Sequence, residues 1–177
     1  AMHANKWLNP KPGTDIALAM AMVQVLLTED LIDRDYIREQ TDLPFLVRSD
    51  NGRFLRESDF VAGATARDNL FYVWDDRTGK VIAAPATGNP PPPSGSPVPV
   101  IPAGSLALGE LRPALEGSWS VKTRQGPVRV TTVFELVKQR AASYTPEQAA
   151  KVCGVHADNI RQGARIFGQA KPAMIFT

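Results

Sequence analysis

The chain has 177 residues, a formal net charge of +2, 44% hydrophobic residues and a single cysteine, Cys153. That length supports one good core and a small second lobe. The mixed charge offers no basic stripe to nucleic acid or an anionic membrane, and no apolar run approaches the length of a membrane span. One cysteine excludes an internal disulfide and a cysteine-only metal site, and a soluble chain of this kind fits cytoplasm or periplasm equally.

Trp7 and Leu8 read as packing anchors ahead of the first strong element. Pro12 and Gly13 then make a turn, and Thr14 or Asp15 can cap the following helix by accepting from its free N–H groups. The spacing predicts a helix from Ile16 to about Leu27, with Ile16, Met20, Val23 and Leu27 on its apolar face. Burying each of these side chains is worth about 1.5–3 kcal/mol before entropy is subtracted. Alanines at 17, 19 and 21 keep the rest of the surface thin, so another element can approach closely. Asp33 can cap a second helix through about Gln40, packed back on the first by Leu31, Ile32, Tyr36 and Ile37. The helical structure ends before Pro44.

Residues 45 to 84 change character. Short strands flank Asp50-Asn51-Gly52, and a second pair, Leu70–Trp74 and Lys80–Ala83, flanks Asp75–Gly79, which predicts two successive β-hairpins. Residues 85–104 hold eight of the fifteen prolines and read as an extended spacer on the surface. Short strands are expected around Ala114–Glu116, Trp119–Lys122 and Val128–Val130, the last two joined by a turn at Gln125-Gly126-Pro127.

The final third is helical. Thr132 can cap a helix from Val133 to about Ala142, with Val133, Leu136, Val137 and Arg140 at helical spacing. Thr145 with Pro146 and Gln148 forms a capping box for a helix ending at Gly154. A third helix, about Ala157 to Gln169, carries Ile160, Ala164 and Phe167 on one face. The run from Ala173 to Thr177 reads as a buried strand, and helix followed by buried strand is an α/β pattern. A chain stopping inside such a strand is expected to be an interior piece of a longer polypeptide.

Few residues carry chemistry by pattern alone. His156 sits where a helix begins and suits capping; Cys153 suits a small buried hydrophobe. Arg48, Arg53 and Arg56 could face phosphates, but acidic residues interleaved with them point to a mixed-charge surface. Asp15 is a helix cap, a ligand for a group presenting hydrogen-bond donors, or both.

The run Lys11-Pro12-Gly13-Thr14-Asp15-Ile16-Ala17-Leu18-Ala19, followed by Leu31-Ile32-Asp33-Arg34-Asp35-Tyr36, resembles the molybdopterin oxidoreductases of the dimethyl sulfoxide reductase family. The stretch Tyr144-Thr145-Pro146-Glu147 to Lys171-Pro172-Ala173 is similar to the family's approach to a nucleotide-binding strand. Thr41–Arg48 and Phe71–Trp74 resemble its type II branch. The resemblance implies a partial dinucleotide-binding-like (Rossmann-like) α/β domain with a small antiparallel β insertion. Residues 1–44 and 132–177 would belong to that domain, and residues 45–131 would be the insertion with its Pro-rich loop at 85–104. It also implies a catalytic subunit that binds molybdopterin guanine dinucleotide carrying molybdenum or tungsten. Gly13, Thr14 and Asp15 would lie at the guanine, where the Asp15 carboxylate accepts from N1–H and the N2 amino group. Catalytic residues, metal ligands and iron–sulfur cysteines of the family lie outside this segment, so the piece alone is expected to hold no cofactor and to be inactive. The remaining domains of the parent chain and an electron-transfer subunit would be its partners. A stand-alone protein-interaction module is the alternative.

Overall fold

The computed structural model describes residues 6–63, 66–88 and 106–170. The described chain divides into two compact units. One combines the residues up to Ile32 with those from Val137 onward, and the other runs from Asp33 to Leu136.

The first unit is a helical cluster of α1 (Asp15–Thr28), α4 (Pro146–Cys153) and α5 (Ala157–Gln169). Its core gathers Ala21, Ala149, Cys153, Val155 and Ile160, with Leu8, Leu18 and Met22 packed against them. The face of α1 that meets this core is therefore Leu18, Ala21, Met22 and Val25, not the expected Ile16, Met20, Val23 and Leu27; Ile16 is 78% exposed. The helix is apolar on nearly every side, so close approach selects the face. Ala21 is fully buried, and glycines on α5 leave no room for side chains. A Cβ at Gly163 would lie 2.8 Å from Leu8 Cδ1, and one at Gly168 would lie 2.7 Å from Leu26 Cδ2. Leu8 anchors the N-terminal segment as expected, whereas Trp7 is exposed.

The caps of α4 and α5 follow the sequence. Thr145 Oγ1 accepts from Gln148 N, Pro146 opens α4, and Gly154 ends it in the left-handed region at φ 77°. His156 Nδ1 accepts from Asp158 N at the start of α5, and Cys153 is fully buried.

The second unit is β-rich. Asp33 Oδ1 accepts from Tyr36 N and starts α2 (Arg34–Gln40), on which Tyr36 is 61% exposed rather than a packing residue. Two ties of α2 lie within this unit: Arg38 donates to Pro113 O, and Glu39 accepts from Ala107 N. A three-stranded antiparallel sheet has the order β1 (Leu46–Arg48), β5 (Gly126–Thr132), β4 (Ser118–Thr123). A second sheet is the hairpin of β2 (Tyr72–Asp75) and β3 (Lys80–Ala83), paired Asp75 to Lys80 around the expected turn. Buried Asp75 organises that turn by accepting from Thr78 Oγ1, Arg77 N and Arg112 N. Burial works against its charge, but these donors prevail and hold its carboxyl below the ordinary range.

Leu46, Leu55, Val121 and Val130 form one core of this unit, flanked by Trp74 stacked on Trp119 at 4.8 Å. Phe45, Val73, Ala84 and Leu106 form the other, beside the cluster of Phe45, Phe54 and Phe71. The first expected hairpin keeps its turn, with Arg48 N bonded to Arg53 O, but its return segment pairs only at the Val47–Phe54 and Arg56–Phe71 bridges. Ala114–Glu116 forms no strand. The β4–β5 turn is Arg124-Gln125, because Gly126 and Pro127 already pair with Thr123 and Lys122. The helix α3 (Val133–Ala141) buries Phe134 and leaves Leu136 40% exposed. The expected strand at 173–177 and most of the Pro-rich stretch lie outside the described residues. Among the described residues every strand pairing is antiparallel, and no helix is long and apolar enough to cross a membrane.

Candidate functional site

The Gly13-Thr14-Asp15 turn is fixed from below. Lys11 N donates to Cys153 O at 2.9 Å, which ties the turn to the end of α4. Thr14 N donates to Lys11 O at 3.1 Å, and Thr14 Oγ1 donates to the same oxygen at 2.6 Å. Gly13 takes φ 77°, a conformation that side chains strain, and a Cβ there would meet nothing within 4 Å. The turn is closed underneath and open above.

Thr14 occupies the N-cap position but its side chain accepts no hydrogen bond from the helix. This corrects the expectation of a Thr14 cap. The hydroxyl is turned toward Lys11 O as a donor, so it closes the turn and does not cap the helix. Asp15 is the charged acceptor at this helix end. It is the first helical residue, its side chain is exposed, and it makes no hydrogen bond or ion pair among the described residues. A carboxylate there is favoured by the helix dipole by about 0.3–1 kcal/mol. The arrangement offers an unspent anionic acceptor on a rigid helix end, which suits a partner bearing adjacent N–H donors.

The other charged cluster lies in the β-rich unit, and sequence reasoning captured only part of it. Arg48 is 8% exposed and forms a bidentate pair with Asp50, with Nε–Oδ1 at 3.0 Å and Nη2–Oδ2 at 2.6 Å; it also donates to Asp59. The Asp50 hydrogen bonds, against the opposing effect of burial, raise the Arg48 guanidinium further above its ordinary value. Arg48 is therefore a structural cation rather than a phosphate ligand. Arg67 likewise engages Glu57 through two side-chain hydrogen bonds and its backbone N–H, holding that carboxyl down to about 2. Both pairings join residues distant in sequence or separated by a turn, which local patterns do not announce. Among the described residues no group of three or more His, Cys, Asp or Glu side chains is placed to hold a metal ion.

No protein-family model matches the chain. Along its whole length, however, it is similar to segments of molybdenum-containing oxidoreductase catalytic subunits. It is 45% identical across 99% of its length to the perchlorate reductase subunit alpha of Dechloromonas aromatica (strain RCB). It is 41% identical across its full length to the dimethylsulfide dehydrogenase subunit alpha of Rhodovulum sulfidophilum, and 34% across 99% to the respiratory nitrate reductase subunit alpha of Haloferax mediterranei. The matched segments make up 20%, 18% and 17% of these proteins, so the chain spans about one-fifth of the length of the curated relatives it matches. The chain belongs to the dimethyl sulfoxide reductase family of molybdopterin oxidoreductases, as a segment of the catalytic-subunit type.

Proposed function

We propose that this chain is a cofactor-cradling part of a type II catalytic subunit, in which Asp15 receives the guanine end of a molybdopterin guanine dinucleotide. In this reading the helical unit is one portion of a dinucleotide-binding-like α/β domain, and the β-rich unit is its insertion. The observation that carries the reading is the exposed Asp15 carboxylate, unpaired among the described residues and set on a helix end that two hydrogen bonds to Lys11 O keep closed.

The residues fit the group. Guanine presents N1–H and the N2 amino group side by side, and one carboxylate accepts both; charge-assisted hydrogen bonds are worth about 1.5–3 kcal/mol each. Adenine lacks that donor pair, so Asp15 also discriminates between the bases. Gly13 leaves the space above the turn free, and Thr14 fixes the turn so that the carboxylate is held before the ligand arrives. The cofactor, with molybdenum or tungsten, would supply the two-electron chemistry of oxygen-atom transfer or hydroxylation, with electrons passed to a partner subunit. This chain's own task is to bind and orient. Nucleotide released by acid from the purified full-length protein tests the reading: guanine nucleotide is expected, and adenine nucleotide in its place would overturn it.

A further inference from the structure

We propose that a second surface, framed by Arg53, Arg56 and Arg124 in the β-rich unit, docks an acidic segment of a protein partner. These three residues line one open depression of about 690 Å³. Three separate segments, 48–59, Asp68 and 124–125, converge on it, and a backbone hydrogen bond joins the first to the last. Arg48 N donates to Arg53 O at 2.8 Å, and Arg124 N donates to Asp59 O at 2.9 Å. Arg56 N donates to Asp59 Oδ2 at 2.9 Å.

The charge balance follows from pairings already described. Asp50 and Asp59 both pair with Arg48, which leaves one net negative charge in that cluster, and Glu57 is neutralised by Arg67. The guanidiniums of Arg53, Arg56 and Arg124 have no carboxylate partner among the described residues, while Asp68 is the unspent carboxylate on the same rim. Arg56 is held in place by Phe71, its guanidinium carbon lying 5.4 Å from the ring centroid, and Phe71 is itself fixed between Phe45 and Phe54.

Guanidinium matches both carboxylate and phosphate. The distribution here favours carboxylates on an extended chain. The cations come from two segments, Arg53 and Arg56 on one and Arg124 on the other, with the Asn51 and Gln125 amides and the Asp68 carboxylate among them. An acidic polypeptide can meet the cations one at a time and pass its own donors over Asp68. A compact multiply charged phosphate would be repelled by Asp68 and brings no N–H donors to satisfy it. The surface lies in a different unit from Asp15 and does not depend on the cofactor reading.

The test is fluorescence anisotropy of a labelled hexaglutamate peptide with the full-length protein, at low salt and at about 0.5 M salt, where screening is strong. Arg53→Glu combined with Arg124→Glu is expected to weaken the peptide at least about tenfold. Arg53→Gln with Arg124→Gln, which perturbs the fold less, should give a smaller loss in the same direction. Arg140→Glu with Lys151→Glu makes the same charge change on exposed positions of the helical unit and should alter binding less than about twofold. Equal loss in that comparison pair, no peptide binding at low salt, or tighter binding of inorganic pyrophosphate at the same arginines would each overturn the proposal.

Discussion

Thr132 joins two elements through one buried hydroxyl, and replacing it with valine isolates that role. The side chain is fully buried; its Oγ1 accepts from Glu135 N at 3.0 Å as the N-cap of α3 and donates to Leu115 O. Thr132→Val keeps the shape and removes both bonds. Loss of the cap costs about 1 kcal/mol, and a buried carbonyl left without its donor costs a further ~1–3 kcal/mol. The expected destabilisation is therefore about 2–4 kcal/mol. Thr132→Ser keeps the hydroxyl and deletes one buried methyl, for about 1 kcal/mol. Urea unfolding of both variants, with unchanged slopes, gives the comparison directly. If valine is tolerated as well as or better than serine, the hydroxyl does not link the strand end to the 114–116 segment, and the reasoning fails.

Two further perturbations probe the packing and the charges. Gly168→Val should destabilise by ~1–3 kcal/mol in the same urea assay. Its Cβ would sit 3.0 Å from the Leu31 carbonyl oxygen, a backbone atom that cannot swing away, and this outweighs the gain of less than about 1 kcal/mol from removing a helical glycine. Unchanged stability would contradict the close approach of α1 and α5. Glu57, held at about 2 by Arg67 against an ordinary 4.5, is depressed in the folded state. Its contribution is therefore fully present above about pH 4.5 and is lost as pH falls toward 2. Thermal melts across that window should show a shallower decline in Arg67→Met than in the parent; parallel declines would count against the pairing.

Local chemistry was the most legible part of the sequence. Asp33, Thr132, Thr145, Gly154 and His156 each do at a helix end what their side chains or backbone suit them for, because capping depends on neighbours within three residues. The Asp75–Gly79 turn was legible for the same reason. The buried face of α1 was not. Apolar residues nearly encircle that helix, so periodicity could not choose between Ile16 and Leu18; Ala21 and the glycines of α5, more than a hundred residues away, decide it. The β4–β5 turn was misplaced by reading Gly126 and Pro127 as turn residues, when the ladder carries both. At the site, Asp15 was visible through its motif, but the donor role of Thr14 depends on where Lys11 O lies, and that follows from the anchoring of Lys11 on Cys153. The arginine depression was half visible, since Arg124 joins Arg53 and Arg56 only through the fold.

The account's central claim is that Asp15 holds guanine, and the most direct measurement is guanine-nucleotide content per purified full-length protein in wild type and Asp15→Asn. The substitution replaces one acceptor oxygen with a donor facing guanine's own donors, and loss of one charge-assisted bond weakens affinity at least about tenfold. Substantially reduced guanine retention with an unchanged circular dichroism spectrum is the predicted result. Full guanine occupancy in Asp15→Asn would contradict it and leave Asp15 as a helix-end residue alone.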